Sequence, residues 1–307
     1  MLSVERRINH HMINRHMNEH RRVSIPPEEP AGGFSDTAFS RIRDILCTRR
    51  NFDIASYKDK YIKRRISIRI RATRAATVDD YCDLLQRSEE ELDLLVKGLT
   101  IHVSQFFRNR STFEKLGTEV FPALFARLRA EGREHLTLWS AGCAGGEEPF
   151  TLALILAERF AKELEEFKVS IVATDIDDGI LEAAQQGMYG HERLQEAPAH
   201  VLDRHFCRNG DKYCLSPAIR GMVEFRRGDL FDTGNHVESD LILCRNVLIY
   251  FERREQERIL LGLSNALTQG GILILGKAET LVGELRRRFG TICPVERIYT
   301  KNRFSVY

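Results

Sequence analysis

Trp139-Ser-Ala-Gly142-Cys-Ala-Gly145-Gly146-Glu147-Glu148-Pro149 decides how this chain is read. A short apolar run, Leu136 to Trp139, precedes the turn, and a helix-like run, Thr151 to Phe160, follows it. Strand, glycine turn and helix is the geometry that brings a ligand to a helix N-terminus. The two glutamates decide which ligand fits. A helix N-terminus attracts anions, and here two carboxylates already occupy it. A pyrophosphate would meet their repulsion; a cationic nucleoside such as S-adenosylmethionine would not. The turn also differs from the GxGxxG dinucleotide pattern, and the chain has no GK[ST] of a P-loop. The stretch points to a methyltransferase, not to a dehydrogenase or an NTPase.

From about residue 115 onward the pattern alternates. Strands are expected at Leu136–Trp139, Val169–Thr174, Val223–Arg226, Leu241–Leu243 and Ile272–Leu275, and helices at Pro149–Phe160, Asp178–Gln186 and Arg254–Leu267. Alternation of this kind predicts an α/β domain with a mostly parallel, doubly wound sheet covered on both faces. Such sheets bind ligands at the carboxyl ends of their strands, where the strand order reverses. Polar residues gather at those ends: Glu147 and Glu148, Asp175 and Asp177, Asp229, then Arg245 and Asn246. Asp175 is placed to accept the two ribose hydroxyls of a nucleoside, and Asp177 is the better N-cap for the next helix. Tyr250, in Cys244-Arg-Asn-Val-Leu-Ile-Tyr250-Phe251, reads either as a core aromatic or as a ring facing the transferable methyl.

The rest of the chain is organised differently. Residues 1–33 hold four of the ten histidines, then Pro26, Pro27, Pro30, Gly32 and Gly33, and read as a flexible tail. Residues 34–105 read as an all-α unit, with Asp36 as the N-cap of a helix carrying Phe39, Ile42, Ile45 and Leu46. Two of its later helices pass through Tyr81–Leu85 and Leu92–Leu99. From Tyr57 to Arg74, eight Lys or Arg oppose one acid, Asp59, a local excess of +7 in a chain of net charge +2. Ile62, Ile66 and Ile70 recur four residues apart. At about 100° per residue, Lys60, Lys63, Arg64, Arg71 and Arg74 fall in a sector beside that apolar stripe. One-sided charge of this strength predicts an acidic partner surface. Residues 106–114 form the linker to the α/β domain, 115–307. Phe106 and Phe107 anchor it, and Arg108 is either an exposed charge or an arginine aimed into the cleft.

Composition excludes several classes. With 307 residues, 43% hydrophobic and 29% charged, the chain is ordinary for a water-soluble protein of one or two domains. No apolar run approaches the ~20 residues of a membrane-spanning helix, and the His- and Arg-bearing N-terminus does not read as a secretory signal. Seven scattered cysteines without a CxxC pair read as free thiols in a reducing cytosol, with no metal site expected.

The combination resembles the bacterial chemotaxis-receptor glutamate methyltransferases, the CheR family, over roughly residues 35 to 303. It is carried by the basic helical unit, His102–Arg108, Ser140–Phe150, Ala173–Asp177, Gly187–Tyr189, Leu243–Phe251 and Gly270–Glu279, with Gly-Glu-Glu-Pro and Cys-Arg-Asn-Val-x-Ile-Tyr-Phe the most specific strings. The resemblance implies a Rossmann-like S-adenosylmethionine-dependent methyltransferase domain with a small β-subdomain at about 190–224, preceded by the all-α domain. It implies that Ser104, Arg108 and Glu148 hold the methionine portion and Asp175 the ribose. Asp229 and Leu230 would line the adenine pocket, and Arg245 and Asn246 would complete the site together with Gly142 and His102. Arg108 and Tyr250 would flank the methyl. His102, Ser104 and Asp229 stand where the family usually has Asn, Thr and Asn. The family's docking on a receptor's C-terminal pentapeptide goes with a longer loop than Arg208–Tyr213, so a pentapeptide-independent enzyme is expected.

The implied reaction is O-methylation of glutamates on the cytoplasmic helical bundle of chemoreceptors, by a cytoplasmic monomer that neither inserts in a membrane nor binds nucleic acid. Two other classes compete. One is a methyltransferase of RNA or a small molecule, for which only Tyr57 and Tyr61 interleave the basic residues as stacking platforms. The other is a cofactor-sensing adaptor, against which the intact Arg108, Glu148, Asp175 and Tyr250 set argues.

Overall fold

The computed structural model describes residues 34–100 and 104–302. The expected 1–33 tail and His102 lie outside the described residues.

Four helices form the N-terminal unit: α1 (Asp36–Arg50), α2 (Asp59–Thr73), α3 (Val78–Arg87) and α4 (Glu89–Leu99). Their starts follow capping chemistry. The cap of α1 is Ser35 rather than Asp36: the Ser35 hydroxyl accepts from the Ala38 N–H, and Asp36 is the first helical residue, where a carboxylate favours the helix dipole. Thr77 and Asp80 form a reciprocal capping box on α3, and Ser88 caps α4. The isoleucine stripe of α2 is fully buried, with Ile62, Ile66 and Ile70 packed among Ile42, Leu46, Tyr81 and Leu95.

The linker is short. Residues 104–109 are extended or turned, and α5 (Arg110–Lys115) has begun before residue 114. A π-helical turn, Leu116–Val120, leads into α6 (Phe121–Glu131). The Rossmann-like core then runs β1 (His135–Ala141), α7 (Glu147–Arg159), α8 (Ala161–Glu166), β2 (Lys168–Asp175) and α9 (Asp178–Gln186). A small three-stranded sheet follows: β3 (Met188–Gly190), α10 (Ala199–His205), β4 (Phe206–Asn209) and β5 (Lys212–Leu215), in order β3-β5-β4. After α11 (Pro217–Arg220) come β6 (Val223–Arg227), β7 (Ser239–Cys244), α12 (Arg253–Ala266), β8 (Leu267–Leu275), α13 (Leu285–Arg288), β9 (Phe289–Cys293) and β10 (Ile298–Lys301).

The seven-stranded sheet has order β6-β2-β1-β7-β8-β10-β9. Its first five strands pair in parallel, and β10 pairs antiparallel with β8 and with β9. That closing β9–β10 hairpin is not among the expected strands. Along β8, Ile272 and Ile274 enter the core beneath α7, while Leu273 and Leu275 enter the core beneath α12. Burial on both faces is what a near-continuous apolar strand sequence requires. The order reverses at β1, with β2 on one side and β7 on the other, so a ligand site is expected over the carboxyl ends of β1, β2 and β7.

The two units meet along the segment after β7. Tyr57 bridges to Phe251, with ring centroids 4.6 Å apart. The Lys58 N–H donates to the Tyr250 carbonyl at 2.9 Å, and Lys58 Nζ donates to the Ile249 carbonyl at 2.7 Å. One of the eight basic residues of the 57–74 segment therefore serves as an internal clamp.

Candidate functional site

The turn after β1 folds as its glycines allow. Gly142 and Gly146 have φ of 78° and 84°, and the N–H groups of Gly142 and Cys143 both donate to the Thr174 carbonyl at the end of β2. A Cβ on Gly142 would meet Val247 Cγ2 at 2.7 Å. Asp175, almost fully buried, accepts from the Ala144 N–H through Oδ2 and from the Asp177 N–H through Oδ1. The β1 turn and the β2 end thus hold one carboxylate in a set direction, and Asp177 caps α9 as expected.

A cavity of about 340 Å³ lies at this point, within the usual size of small-molecule sites. Gly142, Glu148, Asp175, Asp229 and Leu230 line it from the strand ends, and Arg245, Asn246 and Tyr250 from the segment after β7. Ser104 and Arg108 line it from the linker, which puts Arg108 at the cleft rather than free on the surface. Every described residue expected at a nucleoside site therefore borders one space. The docking candidates Lys60, Lys63, Arg64, Arg71 and Arg74 do not border it. Lys60, Arg64, Arg71 and Arg74 are exposed. Lys63 is half-buried, with Nζ 5.2 Å from the centre of the Phe39 ring, so it sits at the edge of the sector.

Some lining residues escaped the sequence reading. Asn51, Phe52, Asp53, Ser56, Tyr57, Leu99 and Thr100 wall the cavity from the helical unit. Tyr57 carries the one usable signal, an aromatic just before a basic helix. The rest have none, because their approach depends on how the two units meet.

Part of the charge in the cavity is paired internally. Glu148 accepts from Ser140 Oγ at 2.8 Å and pairs with Arg245 Nη1 at 3.0 Å, both groups being largely buried. Arg245 Nη2 also donates to the Arg108 carbonyl at 2.8 Å and to Asn109 Oδ1 at 3.0 Å. Glu279 accepts from the Asn246 and Gly276 N–H groups; burial pushes its carboxyl up while those N–H groups pull it back. Burial also raises the Tyr250 hydroxyl, against the pull of Arg108 and Arg65, so Tyr250 is neutral and able to donate near pH 7. Seven non-glycine residues among those described have positive φ, and five of them, Asn51, Phe107, Asn109, Ala144 and Asn246, line the cavity or flank Arg108. Strain of this kind persists where surrounding contacts enforce it, and it concentrates at binding sites.

Four carboxylates, Asp53, Glu148, Asp175 and Asp229, border the space against three arginines, Arg108, Arg245 and Arg258, and this excess of acid is compatible with a ligand that carries positive charge. Fold and site together define a Rossmann-like methyltransferase with S-adenosylmethionine as its methyl donor. Comparison with known proteins narrows the class. Residues 102–295 match the family described as CheR methyltransferase, SAM binding domain, and residues 37–100 match CheR methyltransferase, all-alpha domain. The chain belongs to the CheR methyltransferase family. It is 34% identical over 230 residues to a chemotaxis protein methyltransferase of Listeria monocytogenes, covering 75% of this chain and 85% of that one. It is 34% identical over 250 residues to chemotaxis protein methyltransferase 2 of Pseudomonas aeruginosa, covering 80% and 86%. An uncharacterized 104.1 kDa protein of Rhodobacter capsulatus is 32% identical over 262 residues, which is 85% of this chain and 27% of that protein. No helix among the described residues is long and apolar enough to cross a membrane.

Proposed function

We propose that this chain transfers the methyl group of S-adenosylmethionine to glutamate side chains of chemoreceptors, forming methyl esters in chemotaxis-type adaptation. One juxtaposition carries the reading. Tyr250 lies at the cavity and also packs on Tyr61 of α2, ring centroids 4.9 Å apart, and the exposed face of that helix bears Lys60, Arg64 and Arg71. A site for a cationic methyl donor thus adjoins a basic surface suited to an acidic helical bundle. The relatives named chemotaxis methyltransferases support the same substrate class.

In this reading Ser104, Arg108 and Glu148 hold the methionine portion, Asp175 the ribose, and Asp229 and Leu230 the adenine; Gly142, Arg245 and Asn246 complete the site. Bound S-adenosylmethionine supplies an electrophilic methyl on a sulfonium. The acceptor needs no general base: glutamate, with a reference pKa of about 4.3, is already a nucleophilic anion at neutral pH. The protein's task is in-line positioning and exclusion of water, and well-oriented pairs gain roughly 7–11 kcal/mol in favourable cases. Opposite charges cancel as the methyl moves, so a tight clamp on the attacking oxygen would stabilise the ground state more than the transition state. Arg108 and the neutral Tyr250 hydroxyl therefore orient the carboxylate without holding it tightly.

The β4–β5 connection, with Asn209 opposite Lys212 and only Gly210 and Asp211 between, supports pentapeptide-independent docking. The partner in this reading is the cytoplasmic bundle of a receptor, met by a monomer in the cytoplasm. The test is incubation with methyl-labelled cofactor and receptor, with and without the receptor's last five residues. Alkali-labile label on receptor glutamates, equal for both receptors, is the expected result. An alkali-stable label, or cofactor binding with no transfer to receptor, would reject it.

A further inference from the structure

The backbone at Arg108 is held both by a residue of the cavity wall and by one outside it. Its carbonyl and the N–H of Asn109 belong to one peptide unit, and they are bound from opposite sides. The carbonyl accepts from Arg245 Nη2 at 2.8 Å, and the N–H donates to Glu196 Oε2 at 3.1 Å. The other oxygen of Glu196 accepts from Gln105 Nε2 at 2.5 Å. A guanidinium on one edge and a carboxylate on the other fix the plane of that peptide, since charged partners make the stronger hydrogen bonds.

The same linker needs such a clamp. Phe107 and Asn109, on either side of Arg108, have φ of 56° and 64°. A bulky aromatic in the left-handed region is a genuine outlier, and it persists only if neighbours impose it. The Phe107 N–H donates to Thr151 Oγ1 at 3.1 Å, and the Phe106 N–H donates to the Arg193 carbonyl at 2.9 Å. Arg193 Nη1 reaches the Ser104 carbonyl at 2.5 Å and Glu147 Oε1 at 3.0 Å.

We propose that Glu196, in the turn between β3 and α10, is a positioning residue that sets Arg108 for methyl transfer, while Arg193 sets the Ser104 end of the linker. Glu196 does not line the cavity; it reaches it through the 108–109 peptide and through Gln105. The proposal rests on the reading above that Arg108 orients the acceptor.

Glu196→Ala tests it in four measurements on the full chain: amide hydrogen exchange at Asn109, affinity for S-adenosylhomocysteine, thermal midpoint, and kcat and KM for receptor methylation. Protection at Asn109 falls and kcat falls by about tenfold to a hundredfold, the scale of a misplaced catalytic group. Affinity falls less than kcat, because Ser104 and Glu148 still hold the methionine end, the thermal midpoint stays near wild type, and Glu196→Gln, which keeps one acceptor, recovers part of kcat. In an Arg108→Ala background, Glu196→Ala has no further effect on kcat, as a residue acting through Arg108 requires. Unchanged exchange at Asn109 overturns the clamp whether or not the receptor is a substrate. Additive losses in the double variant, or a parallel fall of affinity, midpoint and kcat without rescue by Glu196→Gln, overturn the positioning role. A wild-type protein that fails to methylate receptor rejects the functional reading instead, and the exchange measurement still decides the clamp.

Discussion

Arg245 joins more of the site than any other single side chain named above. It pairs with Glu148, holds the Arg108 carbonyl and Asn109 Oδ1, and lies over the Phe113 ring at 5.1 Å. Its side chain is 2% exposed and that of Glu148 is 12% exposed, so removing one partner leaves a charge that water barely reaches. Arg245→Met should cost about 3–5 kcal/mol of stability, read from urea unfolding, because among the described residues Glu148 keeps the Ser140 hydroxyl but no cation. Gly142→Ala tests the turn. A side chain at φ 78° costs about 1–2 kcal/mol, and the new Cβ meets Val247 Cγ2 at 2.7 Å. Calorimetry should show S-adenosylhomocysteine binding weakened about tenfold or more, since a shift of a turn by 1 Å is already costly at a tightly fitted site. Unchanged affinity would show that Val247 yields freely. At this scale the sequence was informative about residue type and position, because each strand end of a parallel sheet delivers its next polar residue to one edge. It was silent on Glu196 and Arg193, whose partners lie about 90 residues away along the chain.

Helix α2 presents two chemically different faces. The isoleucine stripe packs inward, and Arg69 is spent on the buried Glu91, with Nη2 to Oε2 at 2.5 Å. Lys60, Arg64 and Arg71 remain outward, with Ile68 among them at 39% exposure. Charge reversal of Lys63, Arg64 and Arg71 to Glu should impair receptor methylation while leaving S-adenosylhomocysteine affinity within about twofold, and the wild-type rate should itself fall with added salt, as screened charges require. Joint loss of both activities would count against docking on this face. The helix and its stripe were legible from periodicity. That Lys58 clamps the interdomain joint and Arg69 pairs inside was not, because equal charges in sequence are separated only by what packs against them. Strands β9 and β10 were missed for a related reason: one residue of β9 and two of β10 are buried, which leaves little apolar pattern to read, and β10 is ordered by pairing with β8.

At the scale of the molecule, ion pairs tie distant elements together. Glu158 on α7 accepts from His205 at 2.6 Å and from Arg204 at 2.9 Å on α10. Burial pushes its carboxyl up, but the bonds from His205 and Arg204 outweigh burial and hold it below the usual carboxylate range. A lowered carboxylate contributes stability above its unfolded pKa of about 4.3 and loses it as pH falls through the lower native value. Wild type should therefore exceed Glu158→Gln in unfolding midpoint at pH 6–7, and the gap should close as pH falls through that lowered native value. A gap independent of pH would mean that packing, not the charge, is lost. From the sequence alone came the glycine turn with its two glutamates, the alternating core, the basic helix and the family pattern, since each rests on neighbours within a few residues. Only the tertiary structure decided that Tyr57 and its neighbours wall the cavity from the other unit, and that Glu196 holds the linker. Those facts depend on surfaces brought together from opposite ends of the chain, and local spacing carries no record of how two packed units face each other.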